Sequence, residues 1–384
     1  MKNLFSLLGR EFKLFWGNRI LRLLFIGAPI MYGVLMGYVY QKGKVTDLPI
    51  IVVDEDHSSM SQKVIEMLGD NEILKVALVK NDESGLSKQV LDLDADCVVM
   101  IPKGFEKDVL TRQNPEIVTI VNTSNVLTAN YASGAIQLVL GTLKAGAQME
   151  TLRKQGTPES LLISSYEPFK TTFVKKFNRS TNYMYFLWPG VLATVLQQVL
   201  LLALALSFAS EFENGTFAEL TKRTSVFSMI AVKVIPYLIM SMGIWLLYLG
   251  FTFWFRIPIN ENLGGLTLVA GIFVLSVSFM GILVSILIPN QLKATEVLMV
   301  VATPSFILSG FTWPLSQMPV WVQHIASGIP LTHFLKAFRT LLVEEGTLQQ
   351  TFPYVMSMVW IGLVCAVGSI VALYFKRRQT TKKF

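Results

Sequence analysis

Six stretches of the chain carry almost no charge over lengths that match a lipid bilayer: residues 23–40, 183–210, 234–255, 266–289, 297–313 and 352–375. A hydrocarbon core takes about 20 apolar residues in helical form. No water is available there to pair backbone N–H and C=O groups, so an isolated apolar stretch must be helical. This pattern confines the chain to a membrane-embedded helical architecture. Only 15% of the residues are charged, against about a quarter in soluble domains, which argues against a cytosolic enzyme. The fifth stretch is short and is interrupted by Pro304.

Charge is divided unevenly. Residues 42–182 hold 16 Lys and Arg against 18 Asp and Glu, and the remainder holds 17 against 8. The basic excess therefore sits beside the apolar stretches, where it suits anionic lipid headgroups better than nucleic acid. Counting Lys and Arg in the short connecting segments sets the orientation. With the N-terminus inside, fourteen fall on the inner side, among them Lys2, Arg10, Lys13, Arg19, Arg22, Lys222, Arg223, Lys233, Lys293, Lys382 and Lys383. Three fall outside: Arg256, Lys336 and Arg339. Both termini are then expected in the cytoplasm, with residues 42–182 on the far side.

Residues 44–178 alternate strand and helix signals. Strands are expected at 49–54, 73–79, 96–101 and 116–121, and helices at 58–68, 83–91, 104–110 and 125–154; residues 157–176 lead back to the membrane. Such alternation predicts a mixed sheet with covering helices. The expected fold is an α-helical membrane protein with six transmembrane helices and an extracytoplasmic α/β domain inserted between helices one and two. Its parts are an amphipathic interface helix at 1–22, a first span at 23–43, the domain at 44–178, and five further spans in 179–384. In the N-terminal segment Leu4, Leu8, Phe12, Phe15 and Trp16 recur at helical spacing opposite Lys2, Arg10 and Lys13, which suits a helix lying in the interface. An extension of the first span explains the same pattern.

Chemistry-bearing motifs are sparse. No G-x-x-x-x-G-K-[ST] loop occurs, so no phosphate cradle of that kind is present, and ATP-driven work would need a separate ATPase chain. His57, His324 and His333 are scattered without metal-ligand spacing, so no metal site is expected. Asp54, Asp56 and His57 read as a strand-end turn leading into a helix cap at Ser58–Ser61. Cys97 and Cys365 would lie on different sides of a membrane boundary and are read as packing residues. Lys233 and Glu296 fall near span ends, where snorkelling accounts for them. Gln197 and Gln198 lie mid-span and should face protein or a water-filled path. They are candidates for interhelical bonding or for lining a path.

Two segments stand out. Residues 211–220, EFENGTFAEL, place Glu211, Glu213 and Glu219 on a side that is otherwise basic. Asn214 and Gly215 break the helix, and Thr216 is positioned to cap a short one running through Leu220. A docking surface for a cytoplasmic partner and a plain inter-span turn both fit. Residues 308–319, LSGFTWPLSQMP, contain Ser309, Gly310, Pro314 and Pro319, and Pro330 interrupts the apolar run that follows. Re-entrant half-helices over 313–345, or a surface amphipathic pair, would use such a sequence.

Together these motifs resemble the ABC-2-type permeases of bacterial ABC exporters, in the branch with a large domain between the first two spans. VVDEDHSSMS (52–61) and IPKGFEKDVL (101–110) look like the outer domain of that branch. EFENGTFAEL, followed by Lys233 and Pro236, looks like its coupling segment (211–225). LSGFTWPLSQMP, with Pro330, Thr332, His333 and Arg339, looks like its re-entrant segment. A departure is Thr224-Ser225, where the family usually has Thr-Pro, which leaves the start of the third span unsettled. The resemblance implies a non-enzymatic permease of the bacterial inner membrane that forms the export path as a dimer. It implies coupling to an ATP-binding subunit through Glu211, Glu213, Gly215, Thr216 and Leu220, with ATP and Mg on that subunit and no cofactor in this chain. A second permease chain, a periplasmic adaptor and membrane lipids are the other expected partners. A membrane-anchored sensor or adhesion module is the alternative, but it leaves five spans unexplained.

Overall fold

The computed structural model describes residues 2–163, 169, 171–258 and 262–381. Lys382 and Lys383 of the basic tail, and residues 164–168 and 170 of the return segment, lie outside the described residues. The chain divides into two compact units, residues 44–174 and residues 1–43 with 175–384.

Residues 44–174 form an α/β unit. Its elements are β1 (Leu48–Asp54), α3 (Ser59–Gly69), β2 (Leu74–Lys80), α4 (Leu86–Asp92), β3 (Cys97–Ile101), α5 (Phe105–Leu110), β4 (Val118–Val121) and α6 (Val126–Lys154); α1 and α2 belong to the other unit. The sheet order is β2-β1-β3-β4. β1 runs parallel to both neighbours, and β4 closes the sheet antiparallel to β3. β1 is central and covered on both faces, which is why it reads as the unbroken apolar run PIIVV. Ile50, Val52, Cys97 and Val99 face Val64 and Leu68 of α3 and Ala132, Ile136 and Val139 of α6. Ile51, Val53 and Val98 face the opposite side, under Leu86 and Val90 of α4.

The acidic turn after β1 is a cap. Asp54 accepts from the backbone N–H groups of Asp56 and His57 at 3.1 Å and from the Ser61 hydroxyl at 2.8 Å. Ser58 and Ser61 complete a capping box at the start of α3. Cys97 is sealed in this core, and burial pushes its thiol pKa up to about 11. Thiolate, not thiol, reacts with iodoacetamide. Expressed alone, residues 44–174 are expected to unfold cooperatively. Alkylation of Cys97 at pH 8 should be slow in the folded unit and should accelerate sharply at the unfolding midpoint. Fast alkylation without denaturant would contradict the packing described here.

The second unit is a helical bundle. It comprises α1 (Lys2–Gly17), α2 (Arg19–Val39, with a π-helical turn at Leu23–Gly27), α7 (Tyr183–Glu213), α8 (Phe217–Arg223), α9 (Val226–Trp254), α10 (Leu263–Leu287), α11 (Gln291–Ala302), α12 (Ser305–Leu308), α13 (Val320–Ser327), α14 (Pro330–Leu342) and α15 (Leu348–Thr381). Helix α7 is central and is packed by α2, α10 and α11, while α10 also packs on α15. A side chain at Gly281 of α10 would meet Leu204 of α7 at 2.8 Å, so glycine is what lets these two helices approach. Ser285 of α10 donates to the Ala205 carbonyl at 2.7 Å. Outward-facing positions such as Leu246, Phe253, Leu268 and Val364 are exposed and apolar, as a lipid-facing surface requires.

Among the described residues, seven helices are long and apolar enough to cross a membrane, one more than the six read from sequence. The additional one is α6, whose small-residue stripe packs on the sheet. The helix that carries the third apolar stretch starts ahead of it. Helix α9 starts at Val226, where Ser225 caps it by accepting from the Ser228 N–H at 3.2 Å.

Candidate functional site

Helix α7 ends at Glu213, and the chain turns through Asn214 and Gly215 into α8. Gly215 has φ +71° with open space around it, so its requirement is the left-handed backbone, which a side chain would strain. The rings of Phe212 and Phe217 meet across the turn at 4.6 Å. Phe217 and Leu220 pin α8 to the bundle core. Thr216 stands at the N-cap position, but its side chain makes no cap bond. Its hydroxyl instead donates to the Glu211 carboxylate.

Glu211 is not a surface acid. It is 2% exposed and accepts from both terminal nitrogens of Arg10 at 2.8 and 3.0 Å and from Lys233 Nζ at 2.8 Å. Lys233 is 1% exposed. It donates a second bond to Glu11 at 3.0 Å, and its ammonium lies 5.8 Å from the Phe208 ring centre. The snorkelling expected of Lys233 is thereby overturned: α9 begins at Val226, so Lys233 lies two turns inside the helix and needs buried partners. Two cations and two anions from α1, α7 and α9 form one neutral cluster. Such an arrangement offsets the several kcal/mol that dehydrating each ion costs. The hydrogen bonds to Glu211 hold the Arg10 guanidinium above its ordinary pKa. One turn after Glu11, Phe15 is buried edge-on against Phe25 and Tyr237, so α1 is fastened to the bundle by a charged and an aromatic contact on one face.

Glu213 is exposed but engaged. It accepts from Asn290 Nδ2 at 2.7 Å and from the backbone and side-chain nitrogens of Gln291 at 3.1 and 2.5 Å. Its charge thus sits at the N-terminus of α11, where the helix dipole favours an anion.

At the other end of α11, Pro304 separates it from α12, and Gly310 (φ +76°) turns the chain with the Leu315 side chain where its own Cβ would lie. The buried Ser309 hydroxyl accepts from the Phe311 N–H at 3.2 Å. Pro314 precedes a single 3-10 turn, Pro319 precedes α13, and Pro330 is the first residue of α14. With 8 and 13 residues, α13 and α14 fall short of the roughly 20 that a span takes. Arg339 of α14 donates to the Phe311 carbonyl at 2.7 Å and lies over the Phe311 ring, which stacks on Phe186 of α7. Gln197, 1% exposed, donates to Ser305 Oγ at 2.9 Å and so ties α7 to the broken span, while Gln198 is half-buried.

Residues 19–371 match the family described as "ABC-2 family transporter protein". The chain belongs to the ABC-2 transporter family. Among its relatives in Escherichia coli strain K12 is the protein named "Probable multidrug ABC transporter permease YbhR", 22% identical over 91% of this chain and 92% of that protein. "Inner membrane transport permease YhhJ" is 22% identical over 98% of both chains. "Probable multidrug ABC transporter permease YbhS" is 27% identical over 64% of both. The chain is thus similar over nearly its whole length to membrane permeases of ABC transporters.

In this ABC-2 chain the residues read as coupling positions run from the end of α7 through the Gly215 turn into α8, and Gly310, Pro314 and Pro319 lie between α12 and α13, with Pro330 opening α14. The acid–base cluster itself was not foreseen. Arg10 reads as part of the polar face of an amphipathic helix, and Glu11 carries no signal of its own in the sequence. The signal available was Lys233, a lysine next to a charge-free run, since an ionisable residue at membrane depth calls for a named partner.

Proposed function

We propose that this chain is the permease subunit of an ATP-driven exporter in the bacterial inner membrane, forming the path as a dimer of permease chains. Six helices cross the bilayer, both termini are cytoplasmic, and the α/β unit lies outside. Helix α6 is assigned to that outer unit because the face bearing Ala132, Ala135 and Ile136 is taken up by the sheet core. ATP and Mg are bound by a partner ATPase that docks at residues 211–225. The outer unit serves to meet a periplasmic adaptor, and Gln198 is the better candidate of the two glutamines for lining the path. The observation that carries the reading is the turn at Gly215 with α8, which three helices brace through the Arg10–Glu11–Glu211–Lys233 cluster. A permease without its own phosphate-binding loop must receive force by contact, and a braced turn transmits displacement instead of absorbing it. The two relatives named as probable multidrug permeases support a small-molecule cargo.

Co-purification from the native membrane tests the reading directly. A stoichiometric chain with a G-x-x-x-x-G-K-[ST] loop is expected. Gly215→Val, and separately Glu213→Arg with Glu219→Lys, should reduce partner recovery or substrate-stimulated ATP hydrolysis about tenfold or more, an effect of about 1.4 kcal/mol, with normal amounts of permease in the membrane. Normal docking and stimulation in both variants would make the segment an ordinary turn. For topology, a C-terminal tag should resist external protease on intact cells, and its cleavage would end the six-span assignment.

A further inference from the structure

Between α7, α9, α10 and α14 lies a cavity of about 50 Å³. It exists because Ala193 of α7 and Ala270 of α10 are small where Leu192, Trp245, Phe334 and Phe338 are large. Four wall residues carry polar side-chain atoms, and each of their donors is engaged within the protein. Trp188 Nε1 donates to the Gly33 carbonyl at 3.0 Å, and Trp245 Nε1 to Thr267 Oγ1 at 3.2 Å. The Tyr248 hydroxyl donates to the Leu192 carbonyl at 3.1 Å, and the Thr252 hydroxyl to the Leu249 carbonyl at 2.7 Å. A buried water needs about two to four polar partners, and a wall without a free donor suits an apolar occupant better.

Its surroundings name the occupant. The half-exposed wall residues are Leu249, Thr252 and Leu342. Beside the first two, Leu246 and Phe253 of the same helix are exposed and apolar, as is Leu268 of α10. Helices α9 and α10 are long and apolar enough to span a membrane, so the rim is continuous with a surface that meets lipid tails. An engineered cavity of roughly 150 Å³ accommodates benzene; a third of that volume excludes a ring system and leaves room for the slim end of one alkyl chain. Because lipid tails are already apolar, the driving force is the dispersion energy of filling a void and not removal from water.

We propose that this cavity is a binding site for the terminal carbons of one membrane-lipid acyl chain. The chain end would touch Phe334 and Phe338, which gives the bilayer a direct apolar contact with α14. The proposal rests on the spans crossing a bilayer and is independent of ATPase docking.

Photolabelling of the full-length chain tests it. The protein is reconstituted in phosphatidylcholine vesicles doped with phosphatidylcholine that carries a diazirine at one acyl terminus, and adducts are mapped by mass spectrometry. Adducts are expected on the wall residues Leu192 and Phe334 as well as on the lipid-facing Leu246 and Phe253. Ala193→Val and Ala270→Val each add two methyl groups to the void, and each should lower the wall adducts about fivefold while leaving the lipid-facing ones unchanged. Wall residues that stay unlabelled, or wall adducts undiminished in both variants, overturn the proposal. A variant that loses its Leu246 and Phe253 adducts has not folded. The decision then passes to Phe338→Ala, which widens the cavity and should raise the Leu192 adduct about twofold; no rise overturns the proposal.

Discussion

Lys233→Ala is expected to destabilise the helical bundle by about 3–5 kcal/mol, the range for breaking one side of a buried ion pair. The substitution leaves Glu11 and Glu211 dehydrated without the ammonium between them, and Glu211 retains only Arg10 and the Thr216 hydroxyl. A neutral set, Glu11→Gln with Lys233→Met and Glu211→Gln, should recover most of the loss, because no uncompensated charge then stays buried and Arg10, partly exposed, can reach water. Unfolding followed in detergent micelles for both proteins measures the difference. Equal stability of Lys233→Ala and the parent would mean that the cluster holds nothing. If coupling runs through the brace, the neutral set should fold and bind the ATPase yet lose substrate stimulation. That pattern separates a transmission role from a purely structural one.

Gly190→Ala is the second substitution with a large expected effect. The new Cβ would lie 2.5 Å from Cε1 of Phe311 and 2.9 Å from two further ring carbons. The ring cannot simply swing away, since it stacks on Phe186 and lies beneath the Arg339 guanidinium. Overpacking of this kind costs about 1–3 kcal/mol. The displaced ring should also loosen the bond between Arg339 and the Phe311 carbonyl, and with it the seat of α14. Phe311→Leu in the same chain should restore part of the stability by giving the methyl group room, and a double-mutant cycle reads the coupling between the two sites. A Gly190→Ala protein as stable as the parent would show that Phe311 is not held against Gly190.

The α/β unit was legible residue by residue because its signals are local. The run PIIVV read as a strand, and Ser58 to Ser61 read as a helix start because side-chain oxygens next to an unpaired helix end find its N–H groups. The break at Pro304 was equally plain, since a proline inside a helix removes a hydrogen bond wherever it sits. Helix α6 was harder: its 29 residues are apolar enough to span a membrane, and only the sheet beneath Ala132 and Ile136 accounts for its small-residue stripe.

By itself, then, the sequence determined the membrane class, the α/β alternation, the helix breaks and the membership of a transporter family. The first three follow from hydropathy and periodicity within short windows, while the family rests on motifs matched along nearly the whole chain. Only the tertiary structure decided which charges meet. Arg10 and Glu11 are 201 and 222 residues from their partners Glu211 and Lys233, and nothing in the windows around them points across that distance. The two glutamates in the last turn of α7 look alike as letters, yet Glu211 is enclosed by three helices while Glu213 caps a fourth. The difference is rotation about one helix axis: two residues along α7 turn a side chain by roughly 200°, from the interior of the bundle to its surface.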